Sequence, residues 1–264
     1  MEFATKYGPW ALVAGASDGV GAAMAEELGR RGLNVVLLAR RQAVLDEVAA
    51  RIGEFGAQTR TLAIDLASPG AAGNVIAATA DLDIGFLVYC AGADPNFQPF
   101  LSSPLADAES LVQRNCMVPM QLCHHYAQPM VDRGRGGIVI FGSGAGFAGG
   151  PNMVAYGASK AFDMVFAEAL WTELHDRGGL ILGKTDTPAL RKLEYERGQI
   201  DSPEQVPPGA AAVEDVVAAA FDNLTAGPTC LVGPEIQAAA QLMASVSRND
   251  AVRFIAQAVT AAMG

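Results

Sequence analysis

A tyrosine and a lysine four residues apart, Tyr156-x-x-x-Lys160, can do proton chemistry that neither does alone. On a helix this spacing puts both side chains one turn apart on the same face. A free phenol gives up its proton only near pH ~10, and an adjacent ammonium favours the phenolate. Bringing a phenol to ~7, where it exchanges protons with a carbonyl or alcohol oxygen, takes roughly 4 kcal/mol at ~1.36 kcal/mol per unit. One lysine plus an oxidised nicotinamide ring can supply that. Ser143 lies thirteen residues earlier, in Phe141-Gly142-Ser143-Gly144-Ala145-Gly146 directly after an apolar run, where its hydroxyl can face the tyrosine. Asn115 falls inside a long helical stretch, an unfavourable place for an amide unless it bonds backbone or water. Singly, each has a plainer reading: an interfacial tyrosine with a lysine stem, a turn serine, a helix irregularity. Jointly, Asn115, Ser143, Tyr156 and Lys160 have the spacing of a shared proton relay.

Such a relay needs a hydride carrier beside it. Gly15-x-x-x-Gly19-x-Gly21 follows the first apolar run, Trp10–Ala14, and opens the first helix, with Ser17 and Val20 in the same stretch. Without Cβ atoms the backbone can turn sharply and approach a pyrophosphate at the helix N-terminus. A bare strand-to-helix turn would also use glycines, but the place after the first strand favours the phosphate reading. The second strand ends Leu37-Leu38-Ala39-Arg40-Arg41, with no carboxylate to take the adenosine ribose hydroxyls. Arg40, with Ser17 or Arg41, can hold a ribose 2′-phosphate instead, so NADP(H) is expected over NAD(H). The alternative is two solvated arginines opening the next helix. Asp65-Leu66, ending the third strand, would meet the adenine, or Asp65 would cap the following turn.

The elements that must position these residues are legible as a rhythm. Apolar strand-like runs at 10–14, 34–39, 59–64, 84–90, 137–141, 180–182 and 229–232 alternate with helical stretches, the βαβ pattern of a parallel sheet. Of 264 residues, 51% are apolar and 17% charged, enough for strands covered on both faces, and no linker-like shift divides the chain. One catalytic domain over 1–264 is therefore expected. A polar, Pro-rich segment at 187–209 is too long for an ordinary connection and reads as a substrate lid. The formal charge of −10 without a basic block argues against nucleic acid and anionic membrane partners. Cys90, Cys116, Cys123 and Cys230 lack metal-like pairing, as do His124 and His125, so packed thiols in a reducing cytoplasm and no metal site are expected. The first residues lack a signal peptide's apolar region, and no run reaches the ~20 residues of a membrane span.

With these motifs in order over residues 10 to 235, the chain resembles the short-chain dehydrogenase/reductase family. The resemblance implies a Rossmann-like, doubly wound α/β fold with a seven-stranded parallel sheet of order 3-2-1-4-5-6-7. It implies Tyr156 as general acid/base, Lys160 as its charge partner on the nicotinamide ribose, Ser143 orienting the substrate oxygen, and Asn115 positioning a relay water. Hydride would pass between the nicotinamide C4 and the substrate carbon. Cys90, Ala91 and Gly92 would line the cofactor's edge, and Gly183, Thr185 and Thr187 resemble the segment that holds the carboxamide. A homodimer or homotetramer is the usual assembly in the family. Three departures stand out: Cys90 where the family has Asn, Leu182 where it has Pro, and only Leu180-Ile181-Leu182 between Gly179 and Gly183. That last stretch is several residues longer in most relatives; either the connection is shortened or residues are missing from the sequence.

Phe97, Phe100, Phe147, Met153, Leu190, Leu193 and Tyr195 would offer apolar contact to a lipophilic ketone or secondary alcohol. A 3-oxoacyl thioester and a steroid-like ketone are the alternatives. A catalytically silent NADP-binding scaffold is the rival from another class, and the intact tetrad argues against it. An epimerase or dehydratase is disfavoured by the short chain and tight glycine spacing.

Overall fold

The computed structural model describes residues 3–93, 96–174, 181–182, 187–196, 198–207 and 209–263. Aliphatic runs form five parallel strands: β1 (Trp10–Ala14), β2 (Asn34–Ala39), β3 (Thr59–Ala63), β4 (Ile84–Tyr89) and β5 (Gly137–Ile140). Their order is β3-β2-β1-β4-β5. Every residue of β4 and β5 is buried, which explains why these strands read as continuous apolar runs rather than alternating ones. Helices α1 (Phe3–Tyr7), α2 (Gly19–Arg30), α3 (Gln42–Gly53), α4 (Ala71–Ala78), α5 (Leu105–Val112), α6 (Val118–Asp132) and α7 (Val154–Leu174) come before and between these strands or follow them. Beyond lie α8 (Pro188–Glu196), α9 (Val213–Asp222), α10 (Pro234–Ser245) and α11 (Arg248–Met263).

Alternate strand residues serve opposite faces. Val13, Leu37 and Val88 pack with Met24 and Leu28 of α2 and Val216 of α9. Leu12, Leu38 and Leu87 pack with Val75 of α4 and Leu122 and Met130 of α6. In register, Ala14 stands beside Leu38 and Tyr89, and Tyr89 beside Ile140. The ladder runs one residue past the strands: Gly15 N donates to Leu38 O, Cys90 N to Ala14 O, and Phe141 N to Tyr89 O. The glycine loop, Cys90 and the Ser143 turn therefore leave from one edge. Strand order reverses between β1 and β4, the crevice where open α/β sheets bind ligands.

The structure departs from expectation in three places. A continuous seven-stranded sheet is not what the described residues form: β6 (Ile181–Leu182) and β7 (Leu231–Val232) pair with each other as a separate parallel ribbon. The long helix before β5 is broken by a π-helical turn at Gln113–Met117. In the segment 187–209, read from the sequence as a substrate lid with no helix named in it, α8 occupies the first part.

Candidate active site

Glycine shapes the loop between β1 and α2. Gly15 has a φ of 88°, and an added Cβ there would sit 2.8 Å from Ala91 N. An added Cβ on Gly21 would strike the Gly15 carbonyl oxygen. The loop closes on itself and on the end of β4 only because these side chains are missing. Asp18 Oδ1 accepts from Gly19 N at 2.8 Å and caps α2. Val20 is buried and Ser17 half-buried in this loop. Thr187 lies directly over it: a Cβ on Gly19 would come within 2.8 Å of Thr187 Cγ2. Thr187 Oγ1 also accepts from Leu190 N at 3.2 Å, at the entry to α8. The structure thus brings Gly15, Gly19, Gly21, Ala91 and Thr187 together; Gly183 and Thr185 lie outside the described residues.

Arg40 and Arg41 are exposed just beyond β2. Gly15 N and Ala16 N bond to Leu38 O, so the glycine loop runs beside that strand end. Asp65 is exposed, and its Oδ1 accepts from Ala67 N at 3.0 Å. The turn-capping alternative is the contact present. Leu66 is packed in the core.

Asn115 is fully buried in the π turn, and π turns inside helices often mark functional sites. Tyr89 Oη donates to Arg114 O, and Arg114 Nη2 donates to Ala93 O at 2.9 Å, so this turn is pinned to the end of β4. Asn115 Nδ2 donates to Ser159 Oγ at 2.8 Å and to Gly92 O at 3.3 Å. Its Oδ1 is buried without a partner among the described residues. An orphaned acceptor of this kind suits a donor from water or ligand.

Ser143 is extended and caps a short 3-10 turn, Gly144–Gly146, with Oγ accepting from Ala145 N at 3.2 Å. The turn lies against α7: a Cβ on Gly146 would meet the Lys160 carbonyl carbon at 2.7 Å. An added Cβ on Gly157 would come 3.0 Å from Ala145 O, so the turn that follows Ser143 packs on α7 at Gly157 and Lys160. Tyr156 is half-buried and lines a narrow cleft of about 40 Å³ with Asn96, Gln98, Phe100, Ser103 and Met153. Lys160 is only 4% exposed. Its ammonium donates to Phe141 O at 2.9 Å and to Asp163 Oδ2 at 2.8 Å. Ser159 and Asp163 are the partners that motif reading missed; the available signal was Lys160-x-x-Asp163, opposite charges at i,i+3.

Of the expected substrate contacts, Phe100 and Met153 line the Tyr156 cleft. Phe147 instead lines a separate groove of about 380 Å³ with Met164, Met243 and Val246. Tyr195 is exposed on α8, and the Leu193 side chain lies outside the described ones. Burial pushes the Cys90 thiol well above its ordinary range, with the Lys160 charge acting in the opposite direction.

The family model described as short chain dehydrogenase matches residues 9–197. Among known proteins, a 7beta-hydroxysteroid dehydrogenase of Collinsella aerofaciens is 35% identical over 195 residues, covering 72% of this chain and 74% of that protein. A solved structure of a 7beta-hydroxysteroid dehydrogenase superposes with a TM-score of 0.87 at 30% identity, covering 97% of this chain and 99% of the other. A short-chain dehydrogenase from Sphingobium yanoikuyae in complex with NADPH gives a TM-score of 0.74 at 29% identity, covering 90% and 96%. The match runs through the glycine loop, the Ser143 turn and the Tyr156–Lys160 helix, and the chain belongs to the short-chain dehydrogenase family of nicotinamide-dependent oxidoreductases.

Proposed function

We propose that this chain, acting as one domain in the cytoplasm and assembled as a dimer or tetramer, interconverts a steroid-like ketone and its secondary alcohol with NADP(H). One arrangement carries the reading: Tyr156 on a cleft wall, a turn from buried Lys160 and beside the Ser143 turn, at the same edge as a glycine loop with no room for Cβ atoms. The bound dinucleotide supplies the hydride. Gly15, Gly19 and Gly21 with the N-terminus of α2 hold its pyrophosphate. Arg40, aided by Ser17 and Arg41, holds the 2′-phosphate; Cys90, Ala91 and Gly92 line the edge, and Thr187 with Gly183 and Thr185 holds the carboxamide. Ser143 orients the substrate oxygen, Tyr156 gives or takes its proton, Lys160 favours the phenolate and bonds the ribose, and Asn115 holds a relay water. The NADPH complex and the 7beta-hydroxysteroid dehydrogenases among the similar proteins support the cofactor and the substrate class. Exposed Leu105, Val112, Val154 and Val165 on α5 and α7 supply apolar surface for the assembly.

The test is a panel of ring ketosteroids, bulky aryl ketones, 3-oxoacyl thioesters and small ketones, each assayed with NADPH and NADH. The expected result is the highest kcat/KM for a ketosteroid with NADPH. Turnover confined to the thioesters would replace the substrate class, and binding of NADPH without turnover of any compound would make the protein a silent scaffold.

A further inference from the structure

Lys160 does not stand alone in the interior. Its ammonium has three donors; Phe141 O and Asp163 Oδ2 take two of them. Asp163 is 2% exposed, and its other oxygen, Oδ1, is buried without a partner among the described residues. A carboxylate kept only for packing is poorly explained here. A buried ion pair is seldom more stable than apolar side chains of the same volume, and a half-satisfied polar group is costlier still. Desolvation pushes the Asp163 carboxyl above the ordinary carboxylate range, against the opposing pull of Lys160.

What the carboxylate alters is the field at Tyr156. A lone ammonium acts on the phenol as a point charge, whereas an ammonium–carboxylate pair acts as a dipole, whose influence falls off faster with distance. Among the described residues, the other groups facing the pair do not supply a competing anion. They are Tyr89 and Cys90 at the end of β4, Cys116 in the π turn and Cys123 on α6, with Arg114 acting on Tyr89. Burial holds Tyr89 and Cys90 well above their ordinary ranges, Cys116 at about 11 and Cys123 at about 12. They stay neutral at working pH, and Arg114 is a constant positive charge.

We propose that Asp163 is a positioning residue for the reaction: it fixes the Lys160 ammonium against Phe141 O and offsets its charge, so that Tyr156 is presented protonated for ketone reduction. The inference rests on Tyr156 as the acid/base. In alcohol oxidation the rate rises with pH as the phenol ionises, and in ketone reduction it falls over the same range.

Asp163→Asn keeps the size of the side chain and an acceptor oxygen for Lys160 while removing the charge. Both inflections then move to lower pH by about one unit, the order expected for one charge about 10 Å, two helical turns, from the phenol at an effective dielectric of about 20. Asp163→Val makes the same prediction should the amide variant fail to fold. Inflections that stay in place while the plateau rate drops would show a merely structural role and overturn the proposal. A shift to higher pH would also overturn it, because the carboxylate would then be keeping the lysine charged. Both failures leave Tyr156→Phe inactive; an active Tyr156→Phe would instead remove the acid/base reading and this inference with it.

Discussion

On the proposed reading, Arg40 is the residue on which the choice of dinucleotide turns. It is exposed at the end of β2, next to the glycine loop, and Ala39 and Arg41 flank it where an NAD enzyme would place a carboxylate. A charge-assisted bond to a phosphate contributes about 1.5–3 kcal/mol. Arg40→Ala should therefore weaken NADPH binding by roughly ten- to a hundredfold and leave NADH binding unchanged, as read by fluorescence titration. Equal losses for both cofactors would remove the phosphate assignment. The places of the proposed catalytic side chains were legible because helix and strand periods fix what spacing means: Tyr156 and Lys160 fall on one face of α7, and Ser143 follows the last buried residues at the end of β5. Asp163 was not. Opposite charges at i,i+3 read as a solvated surface pair, and its burial comes from where α7 sits against the π turn and the strand edge, which no local pattern encodes.

At the scale of elements, the glycine loop is the part least able to change. Gly21 is backed by the Gly15 carbonyl, which is backbone and has nowhere to move without opening the turn. Gly21→Ala should lower the melting temperature and abolish NADPH binding. The wild type, at cofactor concentrations about a hundredfold above Kd, gains about 2.7 kcal/mol of stability from linkage; the variant should gain none, and a normal NADPH-induced rise in its melting temperature would contradict the loop's assignment. The ends of β1 to β5 were readable to within one residue because each of those apolar runs stops where the ladder does. The π turn was visible only as an amide in an awkward place. Asn115 betrayed an irregularity, but the extra residue per turn depends on Tyr89 and Arg114 tying that turn to β4. Helix α8 was missed because its polar surface and neighbouring prolines mimic a loop.

Across the whole molecule, five parallel strands gather loops from distant parts of the chain onto one edge, and the site is the sum of those loop ends. The alternation of strand and helix made a parallel sheet legible, and the order β3-β2-β1-β4-β5 was legible only through the family resemblance. The far side was not: the runs at 180–182 and 229–232 are too short for their pattern to show where they attach, and among the described residues they pair with each other. The central claim is that this edge brings a dinucleotide to an acid/base tyrosine, and Tyr156→Phe tests it most directly. Turnover of the preferred ketone with NADPH should fall by about 10²–10⁴-fold while the variant folds and still binds NADPH. Wild-type turnover in that variant would contradict the account.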